Sequence, residues 1–209
     1  MTSIGRSPSA AVRAATRIAA ALVVFLVMSA CCWAADGCEL SNRREGLVAV
    51  SPDGRYKVVN FLCSRQIDDK RAALVLVNRK TGARRTLYFY TRGATVVWSP
   101  DSRRIAINDY AGSDYTNNLV YSIDQDGQPI DLQKQWDKWK EMPEADHFYM
   151  SVLQWTSRDD LKLIVWGHGG APTRGFCRCF FLNLSDGKSR QCHLDTTGDP
   201  EEYCEKIKK

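Results

Sequence analysis

Short apolar runs separated by polar turn residues fill the chain from residue 46 onward, and this pattern predicts β-strands. The apolar run 47–50 leads into Ser51-Pro52-Asp53-Gly54, and a second apolar run returns directly afterwards. Proline presets the backbone for the first central position of a tight turn, and aspartate and glycine suit the following positions. The segment therefore predicts a β-hairpin.

The hairpin pattern is repeated along the chain. It recurs 48 residues later at Ser99-Pro100-Asp101-Ser102, and a degenerate copy without proline lies around residues 152–164. Each copy is followed by a second hairpin with a glycine in its turn: Gly82, Gly127 and Gly187. The predicted fold class is therefore all-β, with three four-stranded antiparallel meander units in a partial or compact propeller-like arrangement, at about residues 46–90, 94–132 and 151–194.

Two segments outside the repeats predict short helices. Leu132, Trp136 and Trp139 have helical spacing, which predicts a helix near residues 132–142. Its tryptophans are expected to pack over an open sheet edge, with partner binding as the alternative. A second helix is predicted near residues 199–207, since acidic residues follow Asp199-Pro200 and lysines end the segment.

Within the second unit, residues 98–106 (Trp-Ser-Pro-Asp-Ser-Arg-Arg-Ile-Ala) resemble the blade repeat of TolB-type β-propellers. The resemblance covers nearly all of residues 46–194 and is most specific in the first two units. It implies a radial array of four-stranded sheets with ligand or protein binding on one face, and TolB itself is a periplasmic component of an envelope complex. Because propellers typically have four to eight blades, three units favour an open or compact assembly; a divergent fourth blade and a dimer of two half-rings are the alternatives.

Residues 1–35 predict export. Three arginines precede an apolar stretch at residues 18–30, and small residues lead to Ala34 or Ala35, as in a secretory signal peptide. An uncleaved membrane anchor is the alternative. Met28-Ser29-Ala30-Cys31 also resembles the bacterial lipobox, in which Cys31 would be acylated. We therefore expect either a soluble periplasmic protein or an outer-membrane lipoprotein facing the periplasm, with residues 36–209 forming a single β domain.

Charge excludes one class of partner. The whole chain has a formal charge of +5, but without the three arginines of residues 1–35 it has 26 basic against 24 acidic side chains. Nucleic-acid binding needs a basic stripe, so no nucleic-acid partner is expected. A membrane contact is expected only through the lipid anchor.

Six cysteines remain beyond residue 35: Cys38, Cys63, Cys177, Cys179, Cys192 and Cys204. An even number in an exported domain predicts up to three disulfides. Cys38 with Cys63 is favoured because both lie in the N-terminal third, with the other four pairing among themselves; Cys179 and Cys192 flank one predicted hairpin. Metal binding by Cys177, Cys179 and His193 is the alternative, but a single Cys-x-Cys is a weak zinc signal, and no metal or cofactor is predicted.

Connection lengths predict the functional face. In a meander, the first and third turns lie at one end of the sheet, while the other connections lie at the opposite end. The first set are tight turns, whereas the second set are long: residues 64–71, 108–117, 133–147 and 167–175. Binding residues concentrate on such loops, and the candidates for binding are Asp109, Tyr110, Asp114, Tyr115, Trp136, Trp139, His168 and Arg174.

The sequence favours a non-enzymatic envelope protein that binds another protein through its long-loop face. It contains no Gly-x-Ser-x-Gly or His-Glu-x-x-His motif. The partner would be an envelope-complex component, or a toxin or enzyme that this chain blocks as an immunity or inhibitor protein. The alternative is a periplasmic enzyme or small-ligand binder that uses the 108–117 and 167–175 loops.

Overall fold

The computed structural model describes residues 46–67, 70–125, 127–136, 138, 141–143, 145–169 and 175–193. Within its strands, the side chains of residues 47, 63–67, 70 and 71 are not described. All of the described residues lie in one compact unit, Cys38–Lys209.

Three four-stranded antiparallel sheets make up the described fold. Unit 1 contains β1 (Gly46–Val50), β2 (Tyr56–Ile67), β3 (Lys70–Asn78) and β4 (Arg84–Tyr90). Unit 2 contains β5 (Ala94–Trp98), β6 (Arg104–Asp109), β7 (Asn117–Ser122) and β8 (Ile130–Asp131). Unit 3 contains β9 (His147–Trp155), β10 (Asp160–His168), β11 (Phe176–Asn183) and β12 (Ser189–Cys192). The strands of each sheet pair in chain order, which confirms the predicted meander units and all-β class.

The Ser-Pro-Asp turns are built alike in the first two units. Ser51 Oγ donates to Asp53 Oδ1 (2.7 Å) and accepts from the backbone N–H of Tyr56 (2.9 Å). Ser99 Oγ likewise donates to Asp101 Oδ1 (2.7 Å) and accepts from the N–H of Arg104 (2.9 Å). The repeated sequence therefore closes the same turn twice.

The last turn position has a left-handed backbone in both copies, with φ of 71° at Gly54 and 60° at Ser102. Glycine adopts this conformation without steric cost, whereas serine does not. The buried Ser102 offsets the cost by accepting a hydrogen bond on its Oγ from the backbone N–H of Asp53, at 3.0 Å. The strained residue thus links the first two units.

The tight turns of the three units lie at one end of the sheets, which we call the tight-turn rim (residues 51–55, 78–83, 99–103, 156–160 and 183–188). In every unit a backbone hydrogen bond joins the first turn of the meander to the third. In unit 1, the N–H of Arg79 donates to the carbonyl of Arg55 (2.9 Å). Arg104 of unit 2 forms an ion pair with Asp159 of unit 3 at 2.7 Å. Five of the six connections at this end of the sheets are therefore short, as predicted, but the connection 123–129 between β7 and β8 is seven residues long.

The hydrophobic core lies between neighbouring units. One cluster joins Val58 and Leu74 of unit 1 to Ile105 and Ile107 of unit 2, and another joins units 2 and 3. The first strands are adjacent, since β5 contacts both β1 and β9. Sheets that stack face to face around adjacent first strands form the arrangement of propeller blades.

The prediction of a long connection at residues 64–71 is wrong. β2 continues to Ile67 and β3 begins at Lys70, so most of this segment is an extension of the hairpin. Continued pairing satisfies backbone N–H and C=O groups that a loop would leave to water. The other connections are also shorter than predicted: 110–116 between β6 and β7, and 169–175 between β10 and β11.

The helix predicted at residues 132–142 is much shorter in the structure. α1 spans only Leu132–Gln135, and the carboxylate of Asp131 caps it by accepting from the backbone N–H groups of Gln133 and Lys134. The chain turns at Trp136, where φ is −81° and ψ is 120°, and this brings the Trp136 ring into the core. The predicted 199–207 helix lies outside the described residues. Of the part of the chain that is described, no helix is long and apolar enough to cross a membrane.

Candidate functional site

The rim opposite the tight turns brings two of the predicted loops together. We call it the loop rim and define it by residues 110–116, His147 and His168. The N–H of Phe148 donates to the carbonyl of Asp114 (2.8 Å), and Tyr115 forms a parallel bridge with Phe148. The 110–116 loop of unit 2 therefore lies along the start of β9 in unit 3.

An aromatic ladder stands beside this loop. His147 and His168 are cross-strand neighbours whose rings stack with centroids 4.6 Å apart. The next cross-strand pair on the same face of the sheet is Tyr149 and Trp166, whose rings stack with centroids 5.3 Å apart. Ser113 joins the loop to the ladder, because its carbonyl accepts a hydrogen bond from the Tyr149 hydroxyl and lies 3.2 Å from His147 Nδ1. The 110–116 loop and the end of β10 thus meet through His147 and Tyr149.

Buried polar side chains hold the loop in place from below. The Asn108 side chain accepts from the N–H of Val152 (2.8 Å) and donates to its carbonyl (3.0 Å). Thr116 Oγ1 makes the same two kinds of bond with the backbone of Met150, at 2.8 and 2.9 Å. Both ends of the loop are therefore tied to β9, and a buried hydrogen-bond network of this kind strongly specifies one arrangement.

Asn118 connects the two anchors. Its Nδ2 donates to Asn108 Oδ1 (2.9 Å) and to the carbonyl of Met150 (3.1 Å), and its Oδ1 accepts from Gln133 Nε2 (3.0 Å). Gln133 also donates to the carbonyl of Thr116 at 2.8 Å. The first residues of α1 thereby support the same loop.

Four predicted binding residues lie on or beside the loop rim. Tyr115 is 49% exposed, and Asp114 and His168 are also exposed. Tyr110 is half-buried: its N–H donates to the carbonyl of Gly93 (2.8 Å), and its hydroxyl lies 3.3 Å from Ser151 Oγ. The structure therefore gathers these residues on one surface, which Tyr115 dominates by exposed aromatic area.

Asp109 is buried, whereas the sequence predicts that it lies on the binding surface. It is only 2% exposed, at the end of β6, where its Oδ2 accepts from the hydroxyl of Tyr88 (2.7 Å) and from Asn117 Nδ2 (3.3 Å). Its Oδ1 has no hydrogen-bond partner among the described residues. Burial raises the pKa of the Asp109 carboxyl, and the bonds from Tyr88 and Asn117 offset part of the rise. Asp109 therefore joins units 1 and 2 and does not face a partner.

The raised pKa predicts how the Asp109→Asn variant responds to pH. An amide keeps an acceptor for Tyr88 but carries no charge, so the variant lacks the cost of burying a carboxylate. A folded-state pKa above the ordinary value of 3.8 means that the folded protein gains stability on binding the proton. The wild-type free energy of unfolding should rise relative to that of the variant as pH falls towards 3.8, by about 1.4 kcal/mol for each pH unit between the two pKa values.

Urea denaturation of both proteins across this pH range measures the difference. Asp114→Asn is the matched control, since Asp114 is exposed on the neighbouring loop. A difference between wild type and Asp109→Asn that stays constant with pH would contradict the assignment.

Trp136 is a core residue. It is 3% exposed, its ring meets Phe180 edge-on with centroids 4.9 Å apart, and its Nε1 donates to Ser189 Oγ at 2.8 Å. Of the two interpretations of this tryptophan, packing therefore applies and partner binding does not. Trp139 and Arg174 lie outside the described residues, and their binding roles stay predictions.

The cysteines form a disulfide where the hairpin pattern predicts one. Cys179 and Cys192 face each other on β11 and β12 and are disulfide-bonded, with Cα atoms 5.1 Å apart. Cys177 is also disulfide-bonded. The alternative of a metal site at Cys177, Cys179 and His193 is therefore wrong, because neither thiol is available as a ligand. Among the described residues there is no group of three or more His, Cys, Asp or Glu side chains that could hold a metal ion.

The other predicted cysteine roles stay predictions. Cys31, Cys38 and Cys204 lie outside the described residues, and the side chain of Cys63 is not described.

The sequence placed Ser113 and His147 in long connections but did not single them out, and it missed Tyr149 beside the loop rim. His147 and Tyr149 begin a strand, and alternation along that strand puts both side chains on one face. An earlier start for the third unit would have indicated this face. Ser113 contributes only its backbone carbonyl, for which the sequence carries no signal.

Three four-stranded meanders with adjacent first strands and a loop-bearing rim define a β-propeller-type protein. The propeller domain of the trilobed protease from Pyrococcus furiosus is similar to this chain, with a TM-score of 0.50, 15% identity, and 71% of this chain and 43% of that chain covered. The resemblance to TolB-type β-propeller repeats is thereby confirmed as a likeness of fold.

Other solved structures are more distant. A TolB from Agrobacterium tumefaciens matches with a TM-score of 0.43 and 15% identity over 72% of this chain and 50% of its own. A prolyl endopeptidase matches with a TM-score of 0.47 and 14% identity over 73% of this chain and 22% of its own. This chain thus spans between 22% and 50% of the length of the three solved chains. No protein-family profile and no curated protein matches it.

Proposed function

We propose that this chain is a cell-envelope protein that performs no catalysis and binds another protein through its loop rim. The observation that carries the proposal is the 110–116 loop, which is held rigidly at both ends yet presents the exposed Tyr115 to solvent. A loop positioned by a rigid scaffold is the usual location of binding residues. Tyrosine is enriched among the residues that dominate binding energy at protein interfaces.

The opposite rim supports the choice of face. There the short turns are engaged with one another through bonds such as Arg104–Asp159 and Asp53–Ser102. The tight-turn rim exposes mainly charged and small polar side chains, whereas the loop rim combines Tyr115, Asp114 and His168 in a mixed aromatic and charged surface. A protein partner fits this composition better than a nucleic acid does, because residues 36–209 carry 26 basic against 24 acidic side chains.

Location in the envelope rests on two features. The Cys179–Cys192 disulfide is typical of a protein that matures in an oxidising compartment, and residues 1–35 predict a secretory signal. An accessory of an envelope complex and an immunity or inhibitor protein both satisfy these features. The identity of the cross-linked partner would decide between them.

Site-specific photo-cross-linking tests the proposal in intact cells. A photoreactive phenylalanine analogue at position 115 is expected to capture a discrete protein partner. The same analogue at Lys80, an exposed residue of the tight-turn rim, is the matched control and is expected to capture none. Capture of the partner from position 80 but not from position 115 would show that the partner binds the tight-turn rim, and it would contradict the proposal.

The captured partner then allows a quantitative measurement. Tyr115→Ala is expected to raise the Kd at least tenfold, which corresponds to about 1.4 kcal/mol and is modest for a hot-spot tyrosine. Replacing residues 167–175 with a Gly-Ser linker of equal length tests the predicted role of Arg174 in the same assay. An unchanged Kd for both variants would refute the loop-rim assignment.

A further inference from the structure

The tip of the 110–116 loop holds an acidic and an aromatic side chain together. The N–H of Gly112 donates to the carbonyl of Tyr115 at 3.4 Å, so the chain doubles back over residues 112–115. A Cβ on Gly112 would meet both Asp114 Oδ1 and Tyr115 Cε1 at 2.6 Å. Two atoms that approach one point so closely lie within about 5 Å of each other, inside the roughly 6 Å over which a cation interacts with an aromatic ring. One cation can therefore contact both side chains.

The Asp114 carboxylate has no ion-pair partner in the described part of the chain. Burial and the nearby Asp114 raise the pKa of the Tyr149 hydroxyl, and Arg92 lowers it, so both charged groups lie near this loop. No ion pair between described residues joins Arg92 to Asp114, however. Six other carboxylates in that part do form ion pairs: Asp53, Asp101, Asp131, Glu141, Asp159 and Asp186. Asp114 is thus open to a cation from another molecule.

The ring of Tyr115 is uncovered as well, with 49% of the residue exposed. On other strands of the described fold an arginine lies over an aromatic ring. Arg190 Cζ is 4.1 Å from the ring centroid of Phe181, and Arg84 Cζ is 5.3 Å from that of Phe61. No described arginine or lysine covers Tyr115 in this way. The loop rim therefore leaves open a position that the protein's own arginines fill elsewhere.

We infer that the loop rim binds a basic segment of its protein partner, and that an arginine side chain of that segment lies between Asp114 and Tyr115. A guanidinium suits this site better than an ammonium group does, because it stacks on a ring and donates paired hydrogen bonds to a carboxylate. Residues 110–116 carry no basic side chain that would repel it. The inference rests on the proposed function, since it states the chemistry of the partner at the same surface.

A model peptide tests the site in the absence of the partner. The probe is N-acetyl-Gly-Arg-Gly-amide, and its control is the same peptide with citrulline, which keeps the shape of arginine but has no charge. Each peptide is titrated into the oxidised protein, and NMR shifts of the backbone amides of residues 110–116 report binding. The arginine peptide is expected to bind about fivefold more tightly than the citrulline peptide. Equal affinities, or no shifts with either peptide, would overturn the inference.

Two substitutions each remove one half of the site. Asp114→Asn keeps the size of the side chain but removes its charge, and Tyr115→Leu keeps apolar bulk but removes the aromatic ring. Each is expected to raise the Kd of the arginine peptide about threefold to fivefold. Asp124→Asn removes an exposed charge from the connection between β7 and β8, at the opposite end of the sheet, and should leave the Kd unchanged. An equal effect of Asp124→Asn would show that binding follows net charge alone and would refute the assignment.

Gly112→Ala tests the geometry, because it removes neither binding group. A Cβ at 2.6 Å has to push Asp114 and Tyr115 out of position, so the arginine peptide should bind several-fold more weakly. Gly93→Ala is the matched control. Gly93 lies beside the loop, where its carbonyl accepts from the N–H of Tyr110, and a Cβ there would meet no atom within 4 Å. Identical affinities of the two alanine variants would contradict the arrangement of the site.

The captured partner separates this inference from the proposed function. Asp114→Asn is expected to raise the Kd of the partner about tenfold. If position 115 captures a protein whose Kd does not respond to Asp114→Asn, the loop rim binds by other chemistry and only the inference fails. If the arginine peptide binds as expected but position 115 captures no protein, the cation site is supported and the proposed function is contradicted.

Discussion

Replacing Trp136 with alanine is expected to lower the free energy of unfolding by about 3–5 kcal/mol, the usual cost of removing a fully packed aromatic side chain. Trp136 is 3% exposed among residues of units 2 and 3, and it contacts Phe180 edge-on. Its loss leaves a cavity that the flanking sheets fill only in part. Urea denaturation followed by circular dichroism measures the change.

Two milder variants separate packing from hydrogen bonding at Trp136. Trp136→Phe keeps most of the ring contact but loses the Nε1 donor, while Ser189→Ala removes the acceptor of that bond. Each should cost less than Trp136→Ala, with Ser189→Ala near 1 kcal/mol. If Trp136→Ala left stability unchanged but weakened partner binding, the core assignment of this residue would be wrong.

The second large effect is expected at Asn108. Asn108→Ala should lower the free energy of unfolding by about 3 kcal/mol, because it leaves the buried N–H and C=O groups of Val152 without their partners. The 110–116 loop, which follows β6 directly, should also lose its fixed position against β9. Partner affinity should therefore fall together with stability.

Asn117→Ala is the matched control for Asn108→Ala. Asn117 belongs to the same β6–β7 hairpin as Asn108, but it is only half-buried. Its side chain donates to Asp109 at 3.3 Å, a longer bond than those that Asn108 makes with Val152. Its loss should cost about 1 kcal/mol or less. Equal effects of the two substitutions in denaturation experiments would contradict the proposed importance of the buried network.

Local sequence patterns were sufficient for the strands and turns of this protein. The Ser-Pro-Asp turns at Ser51 and Ser99 close through bonds between residues two to five positions apart. Interactions this short depend on neighbouring residues alone, so the same sequence forms the same turn in two units. The Cys179–Cys192 disulfide was also predictable, because it spans one hairpin.

Predictions that depended on distant contacts were less successful. The sequence predicts that Asp109 lies in a loop. In the structure it is buried, and Tyr88 of unit 1 donates a hydrogen bond to its carboxylate. The helix predicted from Leu132, Trp136 and Trp139 ends at Gln135, because the core of unit 3 accepts the Trp136 ring at that point. Helical spacing identified an apolar stripe but not the element that would bury it.

The sequence by itself determined three meander units and their Ser-Pro-Asp turns, since each depends on backbone preferences over a few residues. Only the tertiary structure decided which long connection meets which strand, and so it alone joined the 110–116 loop to His147 and Tyr149. That meeting depends on Asn108 and Thr116 bonding to the backbone of β9, more than 30 residues away. Bonds to a distant backbone leave no pattern in the local sequence, because any residue in β9 offers the same N–H and C=O groups.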